Sequence, residues 1–126
     1  MTNSRTTNQR LKIMSYLKSV YSHPTAETVF NHVKKELPQI TLATVYRNLN
    51  LLSDQGLILR LEIDKEYHYD AFTEKHQHGV CENCGKIMDL KQPEITDYAL
   101  KTLKSKTFKA DTAMIMFRGL CTKCAR

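Results

Sequence analysis

Residues 41–56, TLATVYRNLNLLSDQG, run straight into residues 57–70, LILRLEIDKEYHYD. The change of period between these two stretches decides the fold of the first half. Thr41 opens a helix whose apolar residues Leu42, Val45, Leu49 and Leu52 recur at helical spacing, and Gly56 is the expected stop. Leu57 to Ile63 is then an extended run rich in Leu and Ile, Asp64-Lys65 is a polar turn, and Glu66 to Asp70 is a second extended run with Tyr67 and Tyr69. Two more helices precede this block. Thr25 caps one with the stripe Ala26, Val29, Phe30, Val33 and Leu37, ended by Pro38. Asn8 to about Tyr21 forms the other, with Leu11, Met14, Leu17 and Tyr21 facing inward. Three short helices and a hairpin are the layout of a winged helix, whose third helix enters the major groove of DNA. Its outward face is expected to offer Thr41, Thr44, Arg47 and Asn48, with Tyr46 beside them. Arg reads guanine, Asn reads adenine, and hydroxyls take phosphates. Winged helices also serve as protein-interaction modules, and a single Arg on the helix leaves that alternative standing.

The second half is organised by cysteines. Cys81-Glu-Asn-Cys84 and Cys121-Thr-Lys-Cys124 are two C-x-x-C pairs separated by 36 residues. Each pair puts two thiolates on one tight turn, and two such turns make the tetrahedral four-sulfur cage that Zn²⁺ favours. Gly85 suits the chain reversal of a zinc knuckle. A redox C-x-x-C needs only one pair and a βαβ context. Between the pairs the pattern gives a strand over residues 86–90, a helix from near Pro93, and strands around Phe108 and over residues 113–120. The apolar run Ala113-Met-Ile-Met-Phe117 is expected to be covered on both faces, one by the stripe Ile95, Tyr98, Ala99 and Leu103, the other by a second copy of the chain. The predicted architecture is α+β: a winged helix-turn-helix DNA-binding domain over residues 1–70 and a small α/β dimerisation domain with a four-cysteine zinc site over residues 71–126.

The whole chain has 126 residues, 41% hydrophobic and 25% charged, as in globular proteins. The first ten residues lack the apolar core of a signal peptide, and no apolar run is long enough to span a bilayer. A cytoplasmic protein without membrane contact is the expectation, and there disulfides between the cysteines are disfavoured. The formal charge is +6 with a pI near 9.2. A polyanionic partner is favoured by this charge, not demanded by it.

His76 and His78 alternate, so in an extended segment they point the same way as a chelating pair. Asp70 lies just upstream, Asp89 follows the first cysteine pair, and His23 sits at the entrance to the second helix. Each also has an ordinary reading as a solvated surface residue. His32 and His68 have no comparable partners and read as surface residues.

The stretches HPTAETVF (23–30), TLATVYRNL (41–49), HQHGVCENCGKIMD (76–89) and CTKC (121–124) together resemble the Fur family of metal-dependent repressors over nearly the whole chain. Within it the sequence looks most like the PerR-type peroxide regulators. That resemblance implies that His23, Asp70, His76, His78 and Asp89 form a regulatory site for Fe²⁺ or Mn²⁺, beside structural Zn²⁺ on Cys81, Cys84, Cys121 and Cys124. A homodimer is already expected from the small second half, and it would place two recognition helices on a palindromic operator in double-stranded DNA; the resemblance further implies peroxide sensing through iron-catalysed oxidation of His23 or His76. An iron, manganese or zinc uptake regulator without redox chemistry is the alternative. The chain departs from its relatives in lacking an extra N-terminal helix, so DNA contacts from that helix are expected to be missing. Ala110-Asp-Thr-Ala-Met114 contains no His, so no third metal site is expected. No general base stands out beside the ligands, so no catalytic residue and no enzymatic activity are expected.

Overall fold

A computed structural model describes residues 4–126, with side chains from residue 7 onward. The chain divides into two compact units, the first running to Thr73 and the second spanning Glu74–Arg126.

In the first unit, α1 (Ser4–Ser19), α2 (Ala26–Val33) and α3 (Leu42–Asp54) precede a hairpin of β1 (Leu59–Ile63) and β2 (Glu66–Asp70). Threonine caps start two of the helices: Thr25 accepts from the Thr28 N–H and Thr41 from the Thr44 N–H, at 3.3 and 3.2 Å. The core joins Ile13, Leu17, Val29, Val33, Val45, Leu49, Leu52, Ile58 and Tyr69. Full burial of each aliphatic member stabilises by roughly 1.5–3 kcal/mol. The buried row of α1 is rotated from the expected one. Ile13 and Leu17 point inward with Met14 packed against them, whereas Leu11 and Tyr21 are exposed; positions 13, 14 and 17 satisfy helical spacing as well as the expected row does. The helix also begins at Ser4 and stops at Ser19. Leu42, expected inward, lies at the first turn of α3 and is partly exposed. The β1–β2 turn places Asp64 and Lys65 at φ 53° and 68°, the left-handed pair that a two-residue hairpin turn requires.

The second unit is a three-stranded sheet in the order β4-β3-β5, with β3 (Gln77–Cys81), β4 (Ile87–Leu90) and β5 (Met116–Gly119), and one helix, α4 (Pro93–Thr102). β3 runs antiparallel to β4 and parallel to β5. The last strand therefore pairs with the H-x-H strand. No strand forms around Phe108, and β5 is shorter than the apolar run that suggested it. In the single chain Met114 and Phe117 of that run are exposed, as are Tyr98, Leu103, Phe108 and Leu120. Of the α4 residues, Thr96 is the buried one. Of the expected stripe, Ile95 and Ala99 are half-buried while Tyr98 and Leu103 are exposed, and the sheet also meets the helix through a polar contact, the Gln77 amide donating to Thr96 Oγ1 at 2.7 Å. No helix of the described residues is long and apolar enough to cross a membrane.

Candidate metal sites and nucleic-acid face

The four cysteines converge. Cys81 ends β3 and Cys84 follows on a turn closed by the Gly85 N–H to Cys81 O bond at 2.9 Å. Gly85 takes φ 78°, which a side chain would strain. The second pair repeats the design, with Cys121 O accepting from the Cys124 and Ala125 N–H groups at 3.0 and 2.9 Å. All four sulfurs lie within 4.8 Å of one another. A tetrahedral site with Zn–S bonds of about 2.3 Å has edges of about 3.8 Å. Cys84 and Cys121 Sγ are 3.9 Å apart, so this edge already has the spacing that Zn²⁺ requires.

The electrostatics divide the thiols. Backbone N–H groups of Cys121, Cys84 and Asn83 lower the Cys81 thiol to about 6 against the opposition of burial. Cys121 is lowered likewise, first by the Cys124 backbone. At Cys124 the Asn83 amide lowers the value, but Cys121, Cys81 and burial together push it up to about 11. Packed thiolates repel each other, so the last proton leaves only when a cation compensates.

Each unit contributes imidazole and carboxylate donors. In the first unit, His23 Nε2 lies 3.3 Å from Asp70 Oδ2, and the Phe72 N–H holds the other Asp70 oxygen at 2.9 Å. His23 has φ 55°, a left-handed conformation that costs a non-glycine residue about 1–3 kcal/mol. The His23 carbonyl is met at 2.8 Å by Nδ1 of His68. A carbonyl only accepts, so Nδ1 of His68 carries the proton. His68 is thus the prop of a strained His23 rather than the surface residue expected. His32 also has a partner, stacking on Tyr16 with centroids 4.1 Å apart.

In the second unit, β3 and β4 pair His78 with Asp89. Asp89 Oδ1 lies 3.2 Å from His76 Nε2 and 3.3 Å from His78 Nε2, and the two nitrogens are 3.0 Å apart. His76 Nδ1 donates to Glu74 O at 2.6 Å, which turns the Nε2 lone pair toward that meeting point. A carboxylate oxygen and an imidazole lone pair aimed at one point are stable only with a proton or a cation between them. The N/O donor set fits a divalent cation of intermediate hardness.

On α3, Tyr46 and Arg47 are exposed. Thr41 and Thr44 share a hydroxyl hydrogen bond at 3.0 Å in the cap. Asn48 does not share the outward face. It is buried, three residues beyond Val45, and its amide donates back to Thr44 O at 3.0 Å. The sequence reading also missed Gln77, whose buried amide ties β3 to Thr96 and to the Gln92 N–H. Its position inside H-x-H was the available signal, since alternation turns it to the face opposite both histidines.

A winged helix followed by a small sheet unit bearing a four-thiol cage defines a winged-helix protein with a built-in metal domain. Comparison with known proteins carries this further. The chain belongs to the ferric uptake regulator family, whose profile matches residues 1–118. It is 32% identical over 126 residues to the peroxide operon regulator of Bacillus subtilis, covering 99% of this chain and 87% of that one. The structure of the Campylobacter jejuni peroxide stress regulator superposes with a TM-score of 0.78 at 34% identity, covering 95% of this chain and 91% of that one. The Helicobacter pylori ferric uptake regulator, described with three functional metal binding sites, gives 0.79 at 27% identity, with 94% and 83% covered.

Proposed function

We propose that this chain is a metal-dependent repressor that binds palindromic duplex DNA as a homodimer and senses hydrogen peroxide by oxidation of a ligand histidine. The observation that carries the reading is the convergence of His76 Nε2, His78 Nε2 and Asp89 Oδ1 on one point. Cys81, Cys84, Cys121 and Cys124 would hold structural Zn²⁺. His76, His78 and Asp89 from the second unit, with His23 and Asp70 from the first, would hold regulatory Fe²⁺ or Mn²⁺. Taking donors from both units, such a site fixes the orientation of the DNA-reading helix, and metal affinity and DNA affinity must then rise together. The exposed Phe117, Met114 and Tyr98 support a second copy of the chain as the cover of the second unit.

Iron, when bound, would supply one-electron chemistry with peroxide at this site. The chain's own part is to hold the imidazoles. The Glu74 carbonyl fixes the His76 tautomer, and His68 fixes the backbone at His23. An oxygen atom added to the ring of His23 or His76 would weaken it as a ligand, release the fixed orientation and lower DNA affinity. A metal-level regulator without redox chemistry is the second reading. It is favoured by the Helicobacter pylori neighbour, which matches the fold as well as the peroxide regulator does.

The test is peptide mass spectrometry of Fe²⁺-loaded protein with and without a brief peroxide pulse. One added oxygen on His23 or His76, absent from the Mn²⁺-loaded control, is the expected result. Unmodified histidines would replace peroxide sensing with reversible metal sensing. Substrate turnover abolished by Asp89→Ala would point instead to a hydrolytic centre.

A further inference from the structure

Arg60, on β1 of the hairpin, is anchored to the middle of α3. Its Nη1 donates to Asn50 Oδ1 at 3.1 Å, and its guanidinium carbon sits 4.7 Å from the centroid of the Tyr67 ring. The same Asn50 oxygen accepts from the hydroxyl of fully buried Tyr69 at 3.4 Å. One acceptor on the helix therefore holds two strands of the hairpin. Asn50 lies three residues beyond Arg47 and four beyond Tyr46, so all three occupy neighbouring positions on one helix face. The anchor thus delivers a second guanidinium to the edge of α3 that already exposes Arg47.

Among the described residues no carboxylate forms an ion pair with Arg60 or Arg47. A guanidinium carries five N–H donors. The Asn50 bond uses one of them at Arg60, and the Tyr67 face engages the cation without occupying the fork. An uncompensated charge, held on an aromatic plate beside an exposed Arg, has the chemistry of a phosphate receptor.

We infer that Arg60 is a contact for the DNA phosphate backbone, pre-organised by Asn50 and Tyr67, and that it joins Arg47 in one two-arginine clamp. The inference rests on the DNA-binding reading and assigns it a residue that the recognition helix does not contain. Toward DNA, Asn50 acts through Arg60, as a positioning residue, while the same oxygen also accepts from the Tyr69 hydroxyl. Removing Arg60 removes one counterion-releasing contact, whereas removing the Asn50 side chain leaves the charge and loosens it.

The experiment measures the Kd of the Mn²⁺-loaded protein for a fluorescent duplex of mixed sequence, several helical turns long, across a salt series. For Arg60→Ala the expectation is affinity weaker by about tenfold, the worth of one charge-assisted hydrogen bond. The slope of log K against log salt should fall by about 1. Arg60→Met keeps the packing on Tyr67 and must give the same slope, which guards against a folding defect in the alanine variant. Asn50→Ala should weaken binding about threefold, from freed side-chain rotamers, with the slope unchanged. An unaltered slope in both Arg60 variants overturns the phosphate contact while leaving the DNA-binding reading intact. Absence of salt-dependent binding by the unsubstituted protein overturns both.

Discussion

Gln77 offers the sharpest test of how the second unit is built. Its side chain is fully buried, and the 2.7 Å bond from Nε2 to Thr96 Oγ1 is the polar link between β3 and α4. Gln77→Leu keeps the volume and deletes both amide functions. The Oε1 end matters little, because the Gln92 N–H that it accepts at 3.3 Å also reaches Leu90 O at 3.1 Å. The Thr96 hydroxyl matters more, since it is left buried without this donor. A lost bond removes about 1 kcal/mol and a stranded buried hydroxyl adds about 1–3, while the leucine returns part of this as apolar burial. The net expectation is destabilisation by about 2 kcal/mol.

With a urea dependence of about 2 kcal/mol per molar, the zinc-loaded protein's midpoint should fall by about 1 M. Thr96→Val alone should cost less, and the double variant should recover at least about 0.5 kcal/mol relative to additivity, because it strands no group. Equilibrium urea unfolding followed by circular dichroism gives all three numbers. A midpoint shift below about 0.25 M for Gln77→Leu, or strict additivity in the double variant, refutes the argument that this amide joins strand to helix.

The remaining expectations concern caps, thiols and metal. Thr41→Ala removes the α3 cap and should destabilise by about 1 kcal/mol, read as a lower unfolding temperature. In the metal-free, reduced protein, Cys81 is depressed to about 6 from an ordinary 9.0, so its contribution is present above 9.0 and disappears as pH falls through 6. Cys124 is raised to about 11, so its contribution is full below 9.0 and disappears as pH rises through 11. The urea midpoint should therefore climb from pH 6 to 9 and decline beyond it, and Cys81→Ser should flatten the rising limb. Stripping zinc with a strong chelator should lose the protection from hydrogen exchange in β3 and β5 before that in α2 and α3. Uniform loss across both units would contradict a local staple.

The first unit was largely legible because its helices are amphipathic and its turns carry their own chemistry. The Thr25 and Thr41 caps and the hairpin turn at Asp64-Lys65 are local events that spacing and residue type announce. The rotated face of α1 was not legible, since Leu11, Met14, Leu17 and Ile13, Met14, Leu17 satisfy one helical period equally well. Asn48 misled for a related reason: a polar residue on the inner side of a helix is invisible to a hydrophobic pattern when it satisfies itself on Thr44 O. In the second unit the cysteine spacing announced the cage, but not that β5 would run parallel to β3. That pairing joins residues far apart in sequence, and no local signal encodes a partner. His68 was missed because its role is to hold a backbone carbonyl, which needs no recognisable motif.

The two units solve the same stability problem with different materials. The first buries Val29, Val45, Leu49 and Tyr69 in a continuous apolar core. In the second, Val80 and Ile87 are buried beside Cys81 and Cys121, while Gln77 and Thr96 occupy interior positions that aliphatic residues would otherwise fill. A unit of that size with so little apolar interior gains too little from burial to fold on it alone. The cysteine cage closes the ends of β3 and β5, the two strands whose pairing is most distant in sequence and whose loop costs the most entropy to close. Zinc bound at that position would contribute where the chain contributes least. On the proposed reading this would divide sensitivity: loss of the thiolate cage would remove the second unit's frame and with it the strand that aims His76 and His78, whereas metal exchange at the imidazole and carboxylate donors would leave the frame standing. Only the latter is suited to a reversible signal.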